Sequence, residues 1–209
     1  MKNTFKFLGI IAIAAIIGFG FTACDDGGGG GSGGGCNASC LAIGATGEGG
    51  GKIIYHKHSG FKVTGAGSFI AYYLEAAPVN QGTSLEWASD AWTSESHYYN
   101  TNIAGTGTAI GKGRANTAAI LAVDANAPAA KACNEYSNKG KSDWFLPSKD
   151  ELNEMYKART HLGISSGIFW SSSQSSKEEA WMQYFSSGNQ YETSKSDHLG
   201  INVRAVRYF

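Results

Sequence analysis

The stretch Asp143-Trp144-Phe145-Leu146-Pro147-Ser148-Lys149-Asp150-Glu151-Leu152 decides how the rest of the chain is read. Pro147 disfavours the helical region for the residue before it, so Trp144 to Leu146 read as extended, apolar chain packing on the way into a helix. Ser148 followed three residues later by Glu151 is a capping box, which satisfies the orphan amides of a helix start. Leu152, Met155 and Tyr156 then share one face of that helix, and Gly163 stops it.

Working upstream, two further helices are predicted. Asn116 or Thr117 caps a short apolar one through Ala118, Ile120, Leu121 and Val123. Asn126 caps the next, with Pro128 in its first turn; Ala129, Ala132, Cys133 and Tyr136 fall at i, i+3, i+4 and i+7, and Gly140 ends it. That spacing puts Cys133 on the buried stripe. Before the helices, Ile53-Ile54-Tyr55 and Phe69 to Glu75 read as strands. After them come Ile168 to Ser171, Ala180 to Phe185, a Gly188-Asn189 turn into Gln190 to Thr193, and a closing strand from Ile201 to Phe209. Strands, then about three helices mid-chain, then strands predict an α+β domain with a mainly antiparallel sheet. Trp170 and Trp181 are large enough to fill the core of such a sheet. Arg204 and Arg207 are expected to pair with Asp143, Asp150 or Glu151.

The amino terminus carries an address. Lys2 and Lys6 precede an apolar run from Phe7 to Phe21, and Phe21-Thr22-Ala23-Cys24 closes it with small residues directly before a cysteine. That order is a secretory signal, residues 1–23, with cleavage before Cys24. The cysteine at its end resembles a bacterial lipobox, which implies lipidation of Cys24 and a chain held at the cell envelope. The run is short for a span of ~20 residues. Residues 24–48 hold an almost pure glycine tract that cannot bury apolar surface and reads as a flexible tether. The folded domain is expected over 49–209.

Charge excludes one class of partner. The chain has 17 basic and 17 acidic residues, and removing Lys2 and Lys6 with the signal leaves 15 against 17. A near-neutral to slightly acidic chain has no basic stripe to neutralise phosphates, so nucleic acid is not expected. With 29 glycines against three prolines, glycine provides most of the turns.

Among residues able to do chemistry, Cys36 and Cys40 are close enough in sequence to close a small disulfide loop, although either is also able to reach Cys133. His56 and His58 alternate onto one face of a strand. Their spacing is not that of a zinc motif, so they read as surface histidines and no metal is expected. The run Gly105-Thr106-Gly107-Thr108-Ala109-Ile110-Gly111-Lys112-Gly113 invites a phosphate-loop reading and fails it, because Gly113 stands where a magnesium-holding Ser or Thr belongs. No Gly-x-Ser-x-Gly elbow occurs. Glu178-Glu179 reads as a charge pair in a turn. No catalytic set emerges and no cofactor is implied. The long polar and aromatic stretch from Ala77 to Gly113 is of the kind that often carries function. Its Trp87, Trp92, Tyr98 and Tyr99 are the candidate ligand-binding residues, by stacking on sugar rings.

Five strings in order carry a resemblance: Gly50 to Tyr55 with Leu74-Glu75-Ala76-Ala77-Pro78, the 143–152 stretch, Phe169 to Ser173, Ala180-Trp181 with Phe185 and Gly188, and Val203-Arg204-Ala205-Val206-Arg207. Together they resemble the Lcl C-terminal domain family, grouped with the C-type-lectin-like and formylglycine-generating-enzyme-like folds. The resemblance implies a C-type-lectin-like architecture and an exposed recognition domain. The family's namesake is the terminal domain of a collagen-like adhesin that binds sulfated glycosaminoglycans, but this chain lacks the basic patch such a ligand asks for. It also lacks the Glu-Pro-Asn or Gln-Pro-Asp and Trp-Asn-Asp triplets of calcium-dependent lectins. The expectation is a surface-anchored, non-enzymatic recognition or adhesion lipoprotein for glycan or for a host or envelope protein. The alternatives are a structural envelope lipoprotein without a small ligand, or an enzyme of the formylglycine-generating type built on Cys133.

Overall fold

The computed structural model describes residues 40–65, 67–89 and 101–209. In chain order the elements are β1 (Lys52–Val63), β2 (Phe69–Ala76), β3 (Gly82–Thr83), α1 (Gly113–Val123), α2 (Pro128–Asn134), α3 (Lys149–Lys157), β4 (Ile168–Gln174), β5 (Glu179–Tyr184), β6 (Gln190–Ser194), β7 (Ile201–Val203) and β8 (Val206–Tyr208). The fold is α+β, with the three helices between the early and late strands. One sheet has the order β1-β2-β8 and the other β3-β7-β4-β5-β6. Every pairing is antiparallel except β4 with β7.

The decisive stretch lies between two hydrophobic cores. Trp144 and Leu146 sit in one, with Trp87, Ile120, Cys133, Trp170 and Val203. Phe145, pointing the other way as extended chain requires, sits in the second with Leu74, Leu152, Phe169, Phe185 and Val206. Phe145 and Val206 exchange both backbone hydrogen bonds at 2.9 Å, which fastens the wedge to β8. Phe169 and Trp170 of β4 divide between the two cores in the same alternating way.

Several boundaries differ from expectation. The closing strand is two strands: Ile201–Val203 runs parallel to β4, then Arg204 and Ala205 carry the chain across, and Val206–Tyr208 pairs with β2 in the other sheet. The first strand is 12 residues long, with register shifts between Ile53 and Tyr55 and between His56 and Phe61. Helix α1 starts at Gly113, so Asn116 and Thr117 lie inside it and cap nothing. Asn116 is buried and joins its side chain to both backbone groups of Gly107 and to Ser172 Oγ. Helix α2 begins after Ala127 rather than Asn126 and ends at Asn134, well before Gly140. The capping box of α3 is present in both halves. Trp181 is only half-buried, with the Lys149 ammonium 3.1 Å from its ring centroid.

Two indoles lock the segment after β3 onto β4. Trp87 Nε1–H donates to the Ser171 carbonyl and Trp170 Nε1–H to the Leu85 carbonyl, each at 2.8 Å. Both rings are fully buried. Trp87→Phe keeps most of the apolar volume but orphans a buried carbonyl, and should cost about 1–3 kcal/mol in urea denaturation. Trp87→Ala should cost about 3–5 kcal/mol. A Trp87→Phe variant as stable as the parent would show that the Trp87–Ser171 hydrogen bond contributes nothing.

Candidate functional site

The Gly-rich run before α1 does cradle an anion, and the anion is the protein's own. Gly111 N–H donates to Glu151 Oε1 at 2.7 Å and Gly113 N–H at 3.4 Å. Ser148 N–H reaches Oε2 at 2.8 Å, and the Tyr208 hydroxyl closes the set on Oε1. A Cβ on Gly113 would lie 2.2 Å from Glu151 Oε2, and one on Gly111 (φ +92°) would lie 2.1 Å from the Lys62 carbonyl, so side chains are shut out at both places. The capping glutamate thus fixes the loop that starts α1. Burial pushes the Glu151 carboxyl above its ordinary range, outweighing the four hydrogen bonds that pull it down. Burial and the neighbouring Glu151 charge also drive the Tyr208 phenol well upward.

For an acid raised in the folded state, the folded protein holds its proton more tightly than the unfolded chain does. That contribution to stability is complete below the unfolded carboxylate value and is lost as pH rises through the folded one. The stability difference between the parent and Glu151→Gln should therefore shift against the parent as pH rises from about 4. Urea denaturation across a pH series reads it, and a flat difference would contradict this account.

Beside that loop lies a cleft of about 380 Å³. It is lined by the turn after β1 (Thr64, Gly65), the first turns of α1 (Arg114, Ala115, Thr117, Ala118), Asn134 at the end of α2, and Ser142 to Phe145. Trp144, Phe145 and Thr117 are its buried floor, whereas Asn134, Ser142 and Asp143 are exposed on the rim. Arg114 lies over the Phe69 ring, 5.6 Å from its centroid. Asp143 is fixed by a two-point contact: Arg207 Nε donates to Oδ1 at 2.9 Å and Nη2 to Oδ2 at 3.2 Å. The third arm of that guanidinium, Nη1, reaches Glu75 Oε2 at 3.2 Å. Glu75 is fully buried and also accepts from Gly49 N–H at 3.0 Å and Gly51 N–H at 2.6 Å. One arginine of β8 therefore joins the cleft rim to β2 and to the turn before β1. The cleft offers hydroxyl, amide, carboxylate and guanidinium groups around an apolar floor, the mix of surfaces by which small-molecule pockets orient a ligand.

Sequence reasoning placed the site elsewhere. Trp87 is a core residue beneath β4 and is not available to stack on a ligand. Trp92, Tyr98 and Tyr99 lie outside the described residues, as do Cys24 and Cys36. Arg207 takes Asp143 as expected and adds Glu75, but neither Asp150 nor Glu151. Arg204 pairs with no carboxylate among the described residues. Its Nε donates to Asn80 at 2.8 Å, and its Nη1 is the one buried side-chain nitrogen or oxygen without a hydrogen-bond partner among the described residues. Cys133 is free and fully buried, and burial raises its thiol well above the usual range. Cys40 is disulfide-bonded, which removes the Cys133 pairing. His56 and His58 are half-buried and packed together rather than separate on the surface. The cleft was missed because Arg114, Asn134 and Ser142 form no motif in sequence.

The family model of the Lcl C-terminal domain matches residues 77–207, more than half of the chain. The chain belongs to the Lcl C-terminal domain family. No curated protein matches it. The matched span contains all three helices, β3 to β7 and all but the last residue of β8, while the β1–β2 hairpin lies before it and still completes the second core through β8. Most of the cleft lies within the family domain; Thr64 and Gly65, from the hairpin, close its remaining edge.

Proposed function

We propose that this protein is a lipid-anchored, extracytoplasmic recognition lipoprotein. It is held at the bacterial cell envelope, at the outer membrane or cell surface, through Cys24, and it binds glycan non-covalently in the cleft between β1, α1 and Asp143. The observation that carries the reading is the cleft itself: a cavity large enough for a sugar residue, with a rigid apolar floor and a polar rim whose Asp143 is held at two points. Sugars present one apolar face and several hydroxyls, and such groups are matched by an aromatic floor with amide, hydroxyl and charged side chains around it. The signal, the Cys24 lipobox and the glycine tract support the address and the slack needed to present the domain outward.

The buried, protonated thiol of Cys133 supports a non-enzymatic role over the formylglycine-generating alternative, whose oxygen chemistry requires a reactive cysteine. A protein ligand is favoured by a different feature. Leu199, 82% exposed, borders a depression of about 240 Å³ lined also by Ile168, Met182, Tyr184 and Ile201.

The test is an array of glycans and of envelope and matrix proteins probed with the whole chain in detergent. Arg114→Ala and Asn134→Ala should each weaken glycan binding ~10-fold or more while circular dichroism shows each variant still folded, as expected for loss of a ligand hydrogen bond. Leu199→Ser should leave it intact. Folded Arg114 and Asn134 variants that bind like the parent would remove the cleft from the account.

A further inference from the structure

A second cluster lies away from the cleft, on the outer side of the β1–β2 hairpin. His56 and His58 of β1 and Cys40 in the segment before it bring one ligand atom each within 4.8 Å of one another. Three features hold them there. The ladder between β1 and β2 breaks register between His56 and Phe61, which places the two imidazoles edge to face at 4.5 Å rather than spacing them as plain strand neighbours. The His56 ring is stacked on Tyr73 at 4.6 Å and 10°. The hydroxyl of that same Tyr73 accepts from Leu41 N–H at 3.2 Å, so the residue next to Cys40 is tied to the platform carrying His56. Backbone bonds from Gly44 N–H to Ile53 and from Ile53 N–H to Ala45 bind the rest of the segment along β1.

We propose that Cys40, His56 and His58 form a redox-gated site for a thiophilic ion of the zinc class. Two imidazoles and one thiolate are a ligand set suited to such an ion, with the fourth position left to water or another ligand. Around a tetrahedral ion with ordinary zinc–nitrogen and zinc–sulfur bonds the donors stand roughly 3.3–3.7 Å apart, so closing the site needs a movement of about 1 Å. The segment at Cys40 lies outside the sheet and can supply that movement.

The gate is the disulfide at Cys40. A sulfur bonded to sulfur is no thiolate, and only the thiolate is a strong ligand. A dithiol reductant of the kind that works by thiol–disulfide exchange opens it. Two electrons and two protons pass to the disulfide, giving the Cys40 thiol and its partner's thiol, while the reductant's two thiols become a disulfide. Metal binding then releases the Cys40 proton to solvent as the metal–sulfur bond forms. The bound ion in turn stabilises the open form against reoxidation.

The experiment titrates Zn²⁺ into the full chain against a chromophoric chelator, comparing oxidised protein with protein reduced by a phosphine that is then removed without air. Reduction should tighten binding at least ~10-fold, since even outer-shell changes at metal sites cost 10–100-fold. His58→Gln and the double variant His56→Ala/His58→Ala should abolish the gain, which separates the site from non-specific thiol binding. Circular dichroism of each variant establishes that it is folded. Co²⁺ in the reduced parent should give a thiolate-to-metal charge-transfer band that Cys40→Ser lacks. Equal affinity of oxidised and reduced protein, or a gain that survives in the folded double-histidine variant, would overturn the proposal.

Discussion

The structure depends on one guanidinium and the two carboxylates it joins. Arg207 and Glu75 are almost completely removed from water, and neither would be tolerated there alone. Glu75 repays its burial with the amides of Gly49 and Gly51, so the ion pair also fixes the turn that delivers the chain into β1. Gly51 is demanded by that approach, because a Cβ there would lie 1.9 Å from the Ala76 carbonyl. Through its other edge Arg207 aims Asp143 at the cleft. The same residue thus links hairpin, closing strand and rim, three parts of the chain with little sequence in common.

Around this pair the architecture follows from a shortage of apolar length. Trp144, Phe145 and Leu146 are only three residues, yet by alternating they fill two cores and close the gap between β8 and the helices. The split of the closing segment into β7 and β8 has the same origin, because one short run must complete two sheets. Arg204 stands at the crossing, bonded to Asn80. Glu151 does for α1 and α3 what Glu75 does for the hairpin: a buried carboxylate collects amides from turns too glycine-rich to pack by themselves. The cleft opens between the first turns of α1, the end of α2 and residues 142–145, so its walls are set mostly by this framework.

How much of this was legible in the sequence depended on distance along the chain. The Ser148–Glu151 box was legible because both partners lie within one helical turn, and the apolar face of α3 because its helical period reveals it. Its further use of Gly111, Gly113 and Tyr208 was not, since those partners are brought by tertiary folding. Asn116 looks like a cap because asparagine usually is one; burial against Gly107 and Ser172 overrode that preference. Trp87 looked like a recognition residue because it sits in a polar stretch, and nothing local shows that its indole nitrogen finds the Ser171 carbonyl 84 residues away. Cys40, His56 and His58 meet through a strand irregularity that no spacing rule encodes. The family was readable through its ordered strings.

The most direct test of the framework is a double-mutant cycle across Glu75 and Arg207, using Glu75→Gln, Arg207→Met and the pair, with stability measured by urea denaturation. Each single variant should lose about 3–5 kcal/mol by stranding a buried charge. The double variant should lose much less than the sum, giving a coupling of roughly 2 kcal/mol or more. Additive losses would contradict the claim that this buried pair holds the hairpin, the closing strand and the cleft rim together.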